Sequence, residues 1–382
     1  MNVLIAIDSF KGSLSSMQAG QAAAEGIKRV YPDAEIVVRP IADGGEGTVD
    51  ALVSGMGGEM QYIPVTGPLG QTVEAAYGII YESRTAIIEM SAAAGITLVP
   101  ATERNPMNTT TYGVGEIIMD AIRKGCRNFV VGIGGSATND GGFGMLQALG
   151  FEFLDSEGSP IPLGGKGLEF LSRITVNGAA PELKECTFHI ACDVTNPLCG
   201  EKGCSAIFGP QKGADPQMIL QLDQWLERYA ALVKEVMPTA DKDAAGAGAA
   251  GGIGFAFLAF LNGQLKNGIE LILRETKLEK YVQQADIVVT GEGRLDAQTT
   301  MGKAPSGIAA IAKKYGKPVI GFAGCVTEDA VACNEAGIDA FFPVLRSVCT
   351  LDEAMDTDNA FANMAATAEQ VFRVIRMVKG DA

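Results

Sequence analysis

The chain has 382 residues, 47% hydrophobic and 20% charged, with 48 glycines that follow no low-complexity period; this is the composition of a packed globular protein with two domains of ordinary size, not of a disordered or fibrous one. The formal net charge of −15 at pH 7 argues against a nucleic-acid backbone or an anionic membrane as partner, because both demand clustered Lys and Arg. An anionic substrate must then be held locally, by a few cleft cations helped by backbone amides and Mg²⁺.

Met1 to Ile7 is apolar but stops at Asp8, too soon for a signal-peptide core, and no uncharged stretch is long enough to span a bilayer, so a cytoplasmic protein is expected. The opening is a βαβ unit, with a strand at Val3 to Ile7, a helix at Ser15 to Val30 and a strand at Glu35 to Ile41. The texture then changes to short strands at Met60 to Val65, Thr72 to Tyr81 and Thr85 to Glu89, joined by Gly, Pro and Ser turns in the manner of hairpins. A helix at Gly113 to Lys124, a strand at Asn128 to Val131, a helix after Gly142, a strand at Phe188 to Cys192 and an amphipathic helix at Pro216 to Met237 follow. Ala244 to Gly254, rich in Gly and Ala, fits a hinge, a tight helix crossing or a backbone-lined binding loop.

Near the end the alternation of strand and helix returns: strand Ile287 to Thr290, helix Pro305 to Tyr315, strand Pro318 to Ala323, helix Thr327 to Ala336 and strand Ala340 to Val344. The strands at the two ends suit one doubly wound parallel sheet. The expected fold class is therefore α/β, a doubly wound parallel-sheet domain with a second, dissimilar α/β domain carrying a mixed sheet inserted into it. The expected boundaries are 1–63 plus 281–382 for the Rossmann-like domain and 64–280 for the insertion.

Five polar, glycine-bearing loops each follow an apolar strand, where the carboxyl ends of parallel strands open toward ligand. They are Asp8-Ser9-Phe10-Lys11-Gly12-Ser13; Asp43-Gly44-Gly45-Glu46-Gly47-Thr48; the long run Gly132 to Gly142, which includes Gly134, Gly135, Ser136, Thr138, Asn139, Asp140 and Gly141; Asp193-Val194-Thr195-Asn196-Pro197; and Gly291-Glu292-Gly293-Arg294-Leu295-Asp296. Successive backbone N–H groups before a helix make a cradle for phosphate oxygens, so the long loop is a candidate nucleotide site; the plainer alternative is a strand-to-helix turn with a good cap. Lys11 is positioned to meet a transferring phosphoryl group, where an ammonium counters developing charge, or is simply a solvated surface lysine. Asp8, Asp43, Glu46, Asp193, Glu292 and Asp296 are the candidate Mg²⁺ ligands and general base, although each taken alone is more often a turn or helix cap.

A rival comes from Gly132, Gly134 and Ala137, which match GxGxxA, with Asp155 where a ribose-binding acid belongs; this would make the protein an NAD(P)-dependent oxidoreductase of a small hydroxy acid. Against it, Asn139 to Gly142 would put two glycines and two poor helix formers into the first turns of the supporting helix. The eight cysteines show no CxxC pair or zinc spacing, which favours reduced thiols. His189, the one histidine, lies in the apolar run Phe188 to Cys192 and suits a strand residue better than an acid or base. That leaves carboxylates as the bases available.

In order along the chain, DSFKGSLS, DGGEGT, GIGGSATNDGG, CDVTNPLCG and TGEGRLDAQT resemble the type-1 glycerate kinases, and the resemblance covers nearly the whole sequence. No GxxxxGK[ST] loop or HRD context is present, so P-loop and protein-kinase machinery do not apply. The resemblance implies transfer of the γ-phosphoryl of ATP to D-glycerate, at the 2-hydroxyl, in glucarate, galactarate or glyoxylate breakdown. It implies Lys11 for phosphate charge, Asp8, Asp193 or Asp296 as base or Mg²⁺ ligand, the Gly134 to Gly141 loop for phosphates and Arg294 for the substrate carboxylate. The partners expected are ATP, Mg²⁺ and D-glycerate, with no nucleic acid or membrane, and a homo-oligomer is left open. The loops from residue 8 to residue 296 are expected to share one pocket.

Overall fold

The computed structural model describes residues 1–42, 45 and 47–380. The first two strands are β1 (Asn2–Ile7) and β2 (Glu35–Val38). Eight follow in the middle of the chain: β3 (Glu59–Thr66), β4 (Thr72–Ile80), β5 (Thr85–Glu89), β6 (Asn128–Gly132), β7 (Glu152–Leu154), β8 (Arg173–Thr175), β9 (Thr187–Ala191) and β10 (Gln264–Lys266). The last three are β11 (Ile287–Leu295), β12 (Val319–Val326) and β13 (Ala340–Pro343). The chain divides into two compact units, one of Met1–Asp43, Asp50–Gly57 and Ile269–Ala382, the other of Gly44–Val49 and Gly58–Gly268.

The first unit is built on a five-stranded sheet of order β13-β12-β11-β1-β2, every pairing parallel. A parallel sheet covered on both faces needs apolar residues on both, and β1 supplies them in alternation. Val3, Ile5 and Ile7 face a core shared with helices Ser16–Val30 and Thr357–Lys379, whereas Leu4 and Ala6 face one shared with helices Gly268–Glu275, Leu278–Gln284 and Ala304–Lys314. Helix Ser16–Val30 starts at a capping box, the Ser15 hydroxyl accepting from the Gln18 amide at 3.2 Å while Gln18 accepts from the Ser15 amide at 2.9 Å. It crosses the C-terminal helix so closely that a Cβ at Gly26 would collide with the Ala365 carbonyl.

The second unit carries a six-stranded mixed sheet of order β10-β9-β6-β5-β4-β3. β3, β4 and β5 form the antiparallel hairpins expected from their turns, and β5, β6, β9 and β10 are parallel. One continuous core fills this unit, with Phe129 and Phe188 stacked at 4.8 Å on adjacent strands. Ala244 to Gly254 packs its backbone closely against neighbouring loops, Gly248 on Pro197 and Gly251 on Thr138. Ala250, Gly251 and Gly252 all take left-handed backbone (φ 51°, 72° and 96°) where helix Ala249–Phe260 meets the long glycine loop. Among the described residues, no helix is long and apolar enough to cross a membrane.

Candidate functional site

In the first unit the motif expected as a loop after Thr290 is strand, because β11 continues to Leu295 in register with β12, Glu292 opposite Ala323 and Arg294 opposite Cys325. Glycine makes this pairing close: a Cβ at Gly291 would strike the Phe322 carbonyl. Alternation along the strand then puts Glu292 and Arg294 on one side, while Leu295 is buried on the other. Asp296 ends the strand and caps a short 3₁₀ turn, accepting from the Thr299 amide at 3.2 Å, and the Thr299 hydroxyl donates to Glu292 at 2.6 Å.

Two cations serve this acidic pair. Arg294 Nε lies 3.3 Å from Asp296, and Lys303 Nζ lies 3.6 Å from Glu292 and 3.8 Å from Asp296. Glu292 and Asp296 are 12% and 13% exposed and Arg294 is 62% exposed, so the guanidinium is free to turn toward a ligand while the carboxylates are fixed.

Across the same cavity, of about 400 Å³, stand Asp8, Ser9 and Lys11. Asp8 leaves the end of β1, is buried, and accepts from the Ser9 amide at 2.6 Å. Lys11 projects from a tight turn closed by the Phe10 amide on the Leu14 carbonyl (2.8 Å) and by Gly12 at φ 79°. Its side chain is exposed and makes no hydrogen bond or ion pair with a described residue. Asp8, Ser9, Lys11, Glu292, Arg294 and Asp296 are therefore gathered in one unit from segments nearly three hundred residues apart.

In the second unit the long glycine loop leaves the carboxyl end of β6. Only Gly134 and Gly135 are exposed, and Ser136, Thr138, Asn139, Asp140 and Gly141 are buried. Asp140 accepts from the amide and hydroxyl of Thr111, both at 2.8 Å, and from the Gly142 amide at 3.0 Å. Burial pushes its carboxyl up, against the pull of those bonds. Asn139 donates to Ser205 at 2.8 Å, and the Gly141 amide donates to the Gly251 carbonyl at 2.9 Å. The side chains of Asn139 and Asp140 thus anchor the loop from within, the Thr138 side chain is buried beside them, and none of the three lines a phosphate cradle. What the loop offers a ligand is the backbone at Gly134 and Gly135, with Gly45 close by: its Cα is 3.8 Å from where a Cβ on Gly134 would stand.

The anchor that sequence reasoning missed is Lys212. It is 2% exposed, and its ammonium donates to Ser136 Oγ at 2.8 Å and to the Thr138 carbonyl at 2.6 Å. Desolvation pushes it down from 10.5 to about 8. Nothing in Gly209-Pro-Gln-Lys-Gly213 announces a buried lysine; the one trace is the glycine pair that brings the chain back inside. Lys303 was missed as well, although its place just ahead of Pro305 marks a helix N-terminus.

Asp193 sits past the end of β9 and accepts from Asn267 at 2.8 Å and from the Gly268 amide at 2.9 Å, which ties it to the end of β10. Asn196 donates to the Lys202 carbonyl at 2.9 Å. Asp43, Gly44 and Glu46 lie outside the described residues. His189 is a β9 strand residue opposite Val130, and all eight cysteines are thiols.

The dinucleotide reading fails on geometry. Ten residues separate Gly132 from helix Phe143–Ala148, so the glycines do not open a helix, and Asp155 follows β7, which pairs antiparallel with β8 instead of lying beside β6. The βαβ unit that would hold a pyrophosphate is not formed.

The closeness of helix Ala249–Phe260 to the loop yields a stability prediction. Gly251 is left-handed, and a Cβ there would collide with the Thr138 carbonyl. Gly251→Ala is expected to cost roughly 2–4 kcal/mol, from backbone strain plus overpacking, measured as a fall in the urea midpoint at unchanged slope.

The sequence profile described as the Glycerate kinase family matches residues 3–376. The chain is 50% identical to a protein named glycerate 2-kinase from Escherichia coli K12 over 372 residues, covering 96% of this chain and 98% of that one. It is 48% identical to one named glycerate kinase from Haemophilus influenzae, covering 98% and 99%. Among solved structures, a protein assigned as glycerate kinase 2 from Salmonella typhimurium LT2 superposes with a TM-score of 0.92 at 46% identity, covering 100% of this chain and 99% of that one. With the same architecture and with sequence identity sustained across both units, the chain belongs to the glycerate kinase family.

Proposed function

We propose that the protein transfers the γ-phosphoryl group of ATP to the 2-hydroxyl of D-glycerate, giving ADP and 2-phospho-D-glycerate. The observation that carries this is family membership over residues 3–376. The composition of the first unit's cavity agrees with it, since its lining combines the Lys11 ammonium, which makes no hydrogen bond or ion pair with a described residue, with the Glu292 carboxylate held by Thr299. Phosphoryl transfer asks mainly for positioning and for positive charge where the equatorial oxygens accumulate negative charge.

In this reading Lys11 meets the transferring phosphoryl, and Asp8, enclosed at the end of β1, takes the hydroxyl proton. Arg294 binds the glycerate carboxylate with its planar fork. The exposed amides of Gly134 and Gly135 receive phosphate oxygens. Among the described residues no three His, Cys, Asp or Glu form a metal cluster. Mg²⁺ would travel with the nucleotide, held by one or two carboxylates plus phosphate oxygens. Asp296 is the carboxylate that would hold it, with Asp193 the alternative, and when bound it would neutralise phosphate charge. The reaction belongs to cytoplasmic breakdown of glucarate, galactarate or glyoxylate.

The test is ADP release from the purified protein with ATP, Mg²⁺ and D-glycerate, followed by ³¹P NMR of the product. Release that depends on D-glycerate, with phosphorus coupled to the C2 proton, is expected. No acceptor-dependent release would discard the reading, and coupling to the C3 protons would correct the position.

A further inference from the structure

The cavity of the first unit has two walls of opposite character. One carries Asp8, Lys11, Glu292, Arg294 and Lys303. The other is apolar: Val344 and Leu345 follow β13, Leu351, Ala354 and Met355 belong to helix Leu351–Met355, and Ala360 comes from helix Thr357–Lys379. Leu345, Leu351 and Met355 are 38%, 75% and 36% exposed, although a contiguous exposed patch of large apolar residues is normally covered by something.

D-glycerate does not supply that cover. Every carbon of this three-carbon acid carries an oxygen, so it has no apolar face to lay on leucine and methionine, and it is small beside a cavity of about 400 Å³, a volume in the range of pockets for larger ligands. A purine base has two flat apolar faces and a polar edge. Asn363, at the border of the apolar wall, matches such an edge: its side-chain amide makes no hydrogen bond to any described residue, and it presents a donor and an acceptor side by side. That is the pairing by which Asn recognises adenine at N6 and N7.

We propose that this cavity is the nucleoside pocket for the phosphoryl donor. Adenine lies against Leu345, Leu351 and Met355, its N6/N7 edge meets the Asn363 amide, and the polyphosphate runs toward Lys11 and Lys303. The assignment rests on the kinase reading and adds where the donor sits: the base belongs to the first unit, and the buried side chains of the glycine loop take no part in holding it.

Cys325 lines the same cavity and is an exposed thiol, which gives a readout independent of turnover. Site-resolved iodoacetamide labelling of the whole protein should show adenosine and ADP slowing alkylation of Cys325, with Cys349, exposed but outside the cavity lining, as the internal reference. By calorimetry, Asn363→Leu should weaken ADP roughly 10–100-fold, the value of one bidentate base contact, and Leu351→Asp should also weaken ADP, both with unaltered KM for D-glycerate. Protection of Cys325 by D-glycerate but not by adenosine, or by neither, would overturn the proposal, as would an Asn363→Leu protein with the ADP affinity of the parent. The two readings fail separately. Glycerate-dependent ADP release without adenosine protection leaves the kinase and removes the pocket, whereas protection without release leaves the pocket and removes the kinase.

Discussion

Lys11→Ala is expected to lower kcat by roughly 10²–10³-fold, the usual cost of deleting one preorganised group that stabilises transition-state charge, while the fold is untouched. The separation follows from what Lys11 does and does not touch. Its turn is closed by backbone hydrogen bonds and by the left-handed Gly12, and its ammonium makes no hydrogen bond or ion pair with a described residue. Removing an exposed, uncommitted side chain typically changes stability by less than about 0.5 kcal/mol, about one or two degrees in Tm for a chain of this size. Steady-state kinetics and a thermal melt on the same preparation check both halves. Lys11→Arg keeps the charge but spreads it over a planar fork, and should recover only part of the rate. Full kcat in the alanine variant would remove Lys11 from the site.

The second large effect is expected at Lys212, where activity and stability should part in another way. Lys212→Met keeps the unbranched stem that fills the interior but removes the donor to Ser136 and Thr138. The native ammonium carries a desolvation cost: a drop from 10.5 to about 8 corresponds to about 3 kcal/mol at 1.36 kcal/mol per unit. Loss of two hydrogen bonds from a charged donor, about 1.5–3 kcal/mol each, offsets or exceeds that relief. Near neutral pH the variant should therefore lose only a few kcal/mol at most, yet Ser136 to Thr138 lose the anchor directly behind the exposed Gly134 and Gly135, and kcat should fall at least about tenfold.

The pH dependence supplies a sharper signature. Because the folded-state value lies below the unfolded one, the unfolded chain binds the extra proton between pH 8 and 10.5, and stability rises with pH across that window. Below it the cost is fully present. The parent protein should gain up to about 3 kcal/mol relative to Lys212→Met over the window, read as the difference between the two urea-unfolding curves at each pH so that other titrating groups cancel. Parallel curves would show that Lys212 is not a charged, buried group.

Some of this architecture is written locally. The apolar runs Val3 to Ile7 and Ile287 to Thr290 can be satisfied only by burial on both faces, and the capping signal at Ser15 and Gln18 starts its helix without help from elsewhere. The turns between residues 60 and 89 fix hairpins, because turn chemistry acts over a few residues. The order of the five motifs likewise carried the family resemblance, since no motif was distinctive alone.

Other features depend on contacts between segments far apart in the chain, which no local pattern encodes. β11 runs on to Leu295 because β12 offers it backbone partners and the glycines allow the approach, so Glu292 and Arg294 are strand residues aimed by pleat alternation rather than loop residues. The glycine loop looked like a string of polar ligands, but Thr111, Ser205 and Lys212, brought from up to 76 residues away, turn its side chains inward and leave two glycines outside. Composition and spacing named the chemical groups available; which of them face solvent and which are consumed in holding the backbone was decided by long-range packing, because a polar side chain satisfies whichever partner the fold brings within about 3 Å.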